Sequence, residues 1–148
     1  MGELNYLRCR FAAKFPDDLR YTRSHYWVRE KNPGLWQVGL TPWAVRLLGD
    51  FVEYRFNVAP GAEVKLGQEI GSLEAFKALT DIFSVGTGTF QEANPLLTVN
   101  LDIIAQDCYG NGWLYMLKGS LDPELLDAQR YAVLLDQTID EIRGSAAS

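Results

Sequence analysis

Histidine is almost missing from this sequence: His25 is the only one in 148 residues. That excludes a metal centre built on several imidazoles and a proton relay between two of them. Cysteine is scarce too. Cys9 and Cys108 stand far apart with no Cys-x-x-Cys spacing, so neither a zinc ribbon nor a disulfide framework is available, and reduced thiols in a cytoplasm are expected. No apolar run approaches the roughly 20 residues that cross a bilayer, so no membrane association is predicted. Residues 1–14 lack an apolar stretch ending in a small-residue cleavage site and are read as an N-terminal extension rather than a secretory signal. Positive charge is in deficit, with 14 Lys and Arg against 19 Asp and Glu. A nucleic-acid partner, which would require a basic face, is therefore not expected.

What the chain has is punctuation. Thirteen glycines and six prolines divide it into short apolar segments. This spacing predicts a mainly β domain, a barrel or sandwich of short strands. Residues 35–40 read as a strand, and Thr41-Pro42 then opens a short internal helix that stops at Gly49. Over residues 51–58, Val52, Tyr54, Phe56 and Val58 alternate with Glu53, Arg55 and Asn57, predicting a half-buried strand. Strand-like segments are also expected near Val64, Ile70, Ile82, Phe90, residues 97–99 and residues 113–117. Gly86-Thr87-Gly88 lacks the third glycine and the lysine of a phosphate loop and is read as a strand turn. Asp122 and Pro123 predict the start of a C-terminal helix running to about Arg143. Leu121, Leu125, Ala128, Ala132, Leu135, Ile139 and Ile142 form its apolar stripe, and residues 144–148 follow as a flexible tail.

One segment stands out on chemistry. Lys77 is the only cation between Lys65 and Lys118, and it falls between two strand-like pieces, at the expected tip of a hairpin. Phe76 beside it is a large ring where a solvated turn would carry a polar group. Glu74 precedes the lysine by three residues and Asp81 follows it by four. From spacing alone, Lys77 reads as an ordinary solvated turn lysine.

Glu74-Ala75-Phe76-Lys77-Ala78 resembles the lipoylation motif of the glycine cleavage H-protein family, usually Glu-Ser-Val-Lys-Ala. The stretch from Pro16 through Ser24-His25-Tyr26-Trp27-Val28 resembles the opening of that family. Val38-Gly39-Leu40-Thr41, Leu48-Gly49-Asp50, Pro60-Gly61, Gly88, Asn94 and Tyr109-Gly110-Asn111-Gly112-Trp113 continue the resemblance in order. It implies a barrel-sandwich hybrid fold of the lipoyl-domain type over residues 15–143, with lipoate amide-linked to Lys77. It also implies that Glu74 helps the attaching enzyme, a lipoate ligase or lipoyl transferase, to find its target.

The resemblance further implies a non-catalytic cytoplasmic carrier. Glycine decarboxylase would load an aminomethyl group reductively onto the arm, aminomethyltransferase would remove it, and dihydrolipoyl dehydrogenase would reoxidise the dithiol. Ala75, Phe76, Val85, Leu101 and Ala105 depart from the usual family residues. These departures leave room for a lipoate-binding carrier in heterodisulfide-reductase-like sulfur oxidation, or for an unmodified interaction domain of the same fold. A biotin carrier is disfavoured because the Met-Lys-Met tip is absent.

Overall fold

A computed structural model describes residues 2–147. The chain forms β1 (Glu3–Arg8), β2 (Phe11–Pro16), β3 (Arg20–Tyr21), β4 (Tyr26–Asn32), β5 (Leu35–Leu40), α1 (Pro42–Leu48) and β6 (Phe51–Phe56). There follow β7 (Glu63–Val64), β8 (Glu69–Ala75), β9 (Leu79–Phe83), β10 (Gly86–Ala93) and a single 3₁₀ turn (Pro95–Thr98). The last elements are α2 (Ile103–Gln106), β11 (Tyr115–Leu121) and α3 (Ala128–Ala147). A six-stranded sheet of order β3-β4-β5-β11-β10-β7 faces a three-stranded sheet of order β6-β8-β9, while β1 and β2 pair as a separate hairpin. The fold is therefore mainly β with a short internal helix and a C-terminal helix, as the punctuation of the sequence predicts.

Strand β4 explains why there are two apolar cores. Tyr26, Trp27 and Val28 are all buried. Because successive strand residues point to opposite faces, Tyr26 and Val28 enter the space between the two sheets with Val38, Leu73, Ile82 and Phe90. Trp27 turns the other way, into a second core with Phe15, Tyr21, Tyr131 and Leu135. The second core is where the N-terminal hairpin and α3 meet the outer face of the six-stranded sheet. Residues 1–14, read as an extension, thus contribute Tyr6 and Phe11 to a buried aromatic cluster. Tyr6 donates to Asp136 of α3 at 2.8 Å, and Arg8 pairs with Asp136 and Asp140.

Several local expectations are corrected. Residues 122–127 are not helical, because Leu126 pairs antiparallel with Tyr21, holding the backbone extended there. Asp122 instead accepts from the Glu124 amide in a turn, and Asp127 caps α3 by accepting from the Arg130 amide at 2.8 Å. Helix α3 then continues to Ala147, through most of the segment read as a tail, and Ser148 lies outside the described residues. Tyr131, outside the stripe read from the sequence, is fully buried, while Ile142 within that stripe is exposed. In β6 a bulge between Phe51 and Glu53 pushes Val52 outward and turns Phe51 inward, breaking the simple alternation. Residues 97–99 belong to the 3₁₀ turn and its end, started by the Asn94 side chain accepting from the Leu96 amide. Gly86 and Gly88 lie inside β10, not at a turn. A Cβ on either would collide with a backbone carbonyl of β11, that of Ser120 or Lys118.

His25 is a packed residue, with Nδ1 2.8 Å from the Tyr131 hydroxyl, which also lies 2.7 Å from Thr41 Oγ1. Desolvation lowers its pKa from 6.5 to about 4. The unfolded chain takes up this proton near 6.5 and the folded chain only near 4, so the contribution is complete above 6.5 and is lost as pH falls toward 4. The loss approaches ~3 kcal/mol at pH 4. Urea midpoints measured between pH 6.5 and 4 should fall more steeply for the wild type than for His25→Asn, which suits the positive φ of 73° at this position. Parallel slopes would show that His25 does not report the buried state.

Candidate functional site

The β8–β9 hairpin carries Lys77. Ala75 donates to Ala78 at 2.8 Å, leaving Phe76 and Lys77 as the two loop residues. Neither has positive φ, so the turn needs no glycine. A distant segment fixes it in place: the Phe76 amide donates to Asp50 at 2.7 Å, and the Lys77 amide donates to Leu48 at 3.0 Å. Both acceptors belong to the corner between α1 and β6, so the loop backbone is tied down although its side chains are exposed. Gly49 at that corner has φ of 83°, and a Cβ there would sit 3.3 Å from the Lys77 Cγ. The lysine stem therefore crosses the corner where glycine leaves room, and Nζ donates to the Arg46 carbonyl at 3.3 Å, near the C-terminal end of α1.

The strands around the tip are nested. Glu74 pairs with Leu79, centring between Phe76 and Lys77, and farther out Val64 pairs with Gly88, centring on Phe76. The connection that returns the chain from β9 to the larger sheet is held by two tyrosines. Phe83 donates to the Tyr26 hydroxyl at 3.1 Å, and Val85 donates to the Tyr115 hydroxyl at 3.0 Å. Lys77 is thus at the far end of a hairpin whose base is locked into the core.

Glu74 lies on the exposed face of β8, paired with Glu53 on one side and Leu79 on the other. Ser72, two residues before it on the same face, pairs with Asp81. The structure therefore brings Glu74 and Asp81 onto one surface beside the lysine and adds Glu53, which the linear motif does not reveal. Only the alternation of β6 could have indicated it, since Glu53 was on the polar side of that pattern. Phe76 is 82% exposed and Leu79 71% exposed. Acids and unburied apolar groups beside a projecting lysine suit recognition by another protein. Among the described residues, no group of three or more His, Cys, Asp or Glu could hold a metal ion.

The comparisons with known proteins agree with this geometry. A family model described as Glycine cleavage H-protein matches residues 19–138. The chain belongs to that family. Over 125 residues it is 35% identical to the glycine cleavage system H protein of Rubrobacter xylanophilus, covering 84% of this chain and 98% of that one. It is 40% identical over 124 residues to the glycine cleavage system H protein of Nitrosospira multiformis, covering 82% and 95%. The crystal structure of a glycine cleavage system H protein from Mycobacterium marinum superposes with a TM-score of 0.72 at 33% identity, covering 80% of this chain and 96% of that one. Membership assigns the chain its family's role, a lipoyl carrier of glycine cleavage, and does not favour the sulfur-oxidation carrier or the unmodified domain. The β1–β2 hairpin precedes the matched residues. No helix among the described residues is long and apolar enough to cross a membrane.

Proposed function

We propose that Lys77 is the lysine to which lipoate is joined as an amide, and that the chain presents this arm without catalysing a reaction itself. The observation that carries the proposal is the Lys77 tip: an exposed lysine on a turn whose backbone is tied to Leu48 and Asp50. Lipoate supplies a dithiolane that accepts an aminomethyl group with reduction and returns to the disulfide on oxidation. The chain supplies a rigid base and a lysine stem that can swing away from the Arg46 carbonyl once acylation removes the ammonium charge. Tethering keeps the cargo at an effective concentration on the order of millimolar for whichever partner is docked. Glu74 serves as the recognition acid for a lipoate ligase or lipoyl transferase, with Glu53 beside it on the sheet. The partners that use the arm are glycine decarboxylase, aminomethyltransferase and dihydrolipoyl dehydrogenase, in the cytoplasm.

The lipoylated chain incubated with a glycine decarboxylase and labelled glycine should acquire protein-bound label. A carrier of known competence in a parallel reaction provides the comparison. Label on that carrier and none on this chain would overturn the assignment of glycine as the source of the cargo.

A further inference from the structure

We propose that a pocket between the N-terminal hairpin, α1 and α3 binds a carboxylate with an apolar body of six to eight carbons. The pocket has a volume of about 170 Å³, and its apolar walls are Phe11, Trp43, Ile139 and Ile142. That volume is comparable to the ~150 Å³ of an apolar cavity able to hold a benzene-sized molecule. Arg46 and Arg143 line the same space. Arg8 also borders it, but Asp136 and Asp140 neutralise its guanidinium. Among the described residues, neither Arg46 nor Arg143 is in an ion pair. Among the described residues, Arg143 donates only to the Cys9 sulfur at 3.3 Å, a weak acceptor, and Arg46 lies 5.7 Å over the Phe11 ring.

Trp43 adds an independent observation. Its indole Nε1–H is the one buried side-chain donor without a partner among the described residues. A buried unpaired donor is costly, and native structures rarely leave one without a use. The pocket therefore combines two guanidinium groups outside any ion pair with apolar walls, and one of its lining residues carries a buried indole N–H that lacks an acceptor. A ligand that completes it brings an anionic acceptor and a hydrocarbon body, and two guanidinium groups suit a carboxylate. Phe11 comes from the hairpin that precedes the family-matched residues, so this wall is an addition to the matched part of the chain. Arg46 links the pocket to the carrier lysine: its side chain lines the pocket while its carbonyl accepts from Lys77 Nζ. The inference does not depend on what Lys77 carries.

The test uses the full, unmodified chain labelled with ¹⁵N and follows the indole Nε1–H resonance of Trp43, assigned with Trp43→Phe. Octanoate should shift that resonance saturably, with a dissociation constant on the order of millimolar. Hexanoate, two methylenes shorter, should bind roughly 15-fold more weakly, and acetate should give no saturable shift. Octan-1-ol, which lacks the charge, and the Arg46→Gln/Arg143→Gln double variant with octanoate should each show at least about tenfold weaker binding. No saturable shift with octanoate, or equal affinity for octanoate and octan-1-ol, would overturn the proposal. So would equal affinities of octanoate and hexanoate. The ligand series in the wild type decides the matter even if the double variant does not fold.

Discussion

Lys77→Arg, produced with lipoate and a lipoate ligase, should emerge from intact-mass analysis unmodified, while the wild type gains one lipoyl group. The expected effect is complete loss, because a guanidinium remains protonated and does not form the amide. The variant is otherwise gentle. Lys77 is exposed, and its one side-chain hydrogen bond among the described residues, to the Arg46 carbonyl at 3.3 Å, is within reach of an arginine. Its stability should stay within ~0.5 kcal/mol of the wild type. The turn that presents the residue depends on backbone hydrogen bonds to Leu48 and Asp50, which the substitution leaves alone. Glu74→Gln should reach the same final mass more slowly, since it alters recognition and leaves the amine in place. If wild type and Lys77→Arg show the same modification state, each judged against its own sequence mass, attachment at Lys77 fails: both unmodified means no lipoyl arm, and both modified means a different lysine.

The position of Lys77 was legible because hairpin logic is local. A lone cation between two strand-like segments, with no glycine required by the turn, becomes the tip of β8–β9, and the observed pairings centre on it. The hydrogen bonds that hold this tip were less legible, since they come from residues 48 and 50, which no spacing rule connects to residue 77. Gly49 contributes through space it leaves open for the lysine stem, and a missing Cβ leaves no periodic signal. The start of α3 was misplaced for a related reason. Asp122-Pro123 is a sound helix-start signal, but pairing of Leu126 with Tyr21 outweighs it and delays the helix until Asp127 can cap it. Likewise, β4 shows no alternation of apolar and polar residues because both of its faces are covered, one by each core.

The second core has one residue whose removal should be felt across all its elements, and the helical stripe read from the sequence did not include it. Tyr131 on α3 stacks on Tyr21 with ring centroids 4.9 Å apart and meets Phe15 edge-on at 5.0 Å. Its hydroxyl reaches Thr41, the N-cap of α1, and His25. One side chain thus joins the N-terminal hairpin, the edge of the large sheet, the C-terminal helix and the helix whose carbonyls hold the Lys77 turn. Tyr131→Ala removes a fully buried ring and should cost ~3–5 kcal/mol, as large aromatic truncations do. Against a total of ~5–15 kcal/mol for a domain, that is a large fraction of the stability. Tyr131→Phe keeps the ring and removes only the hydroxyl contacts, so ~1–3 kcal/mol is expected. Urea unfolding should show both midpoints lowered in that order with an unchanged slope, as one cooperative unit requires. A cost below ~1 kcal/mol for Tyr131→Ala would mean that the hairpin and α3 unfold separately from the sheets that carry Lys77. The α1 corner would then hold the lysine without help from the second core.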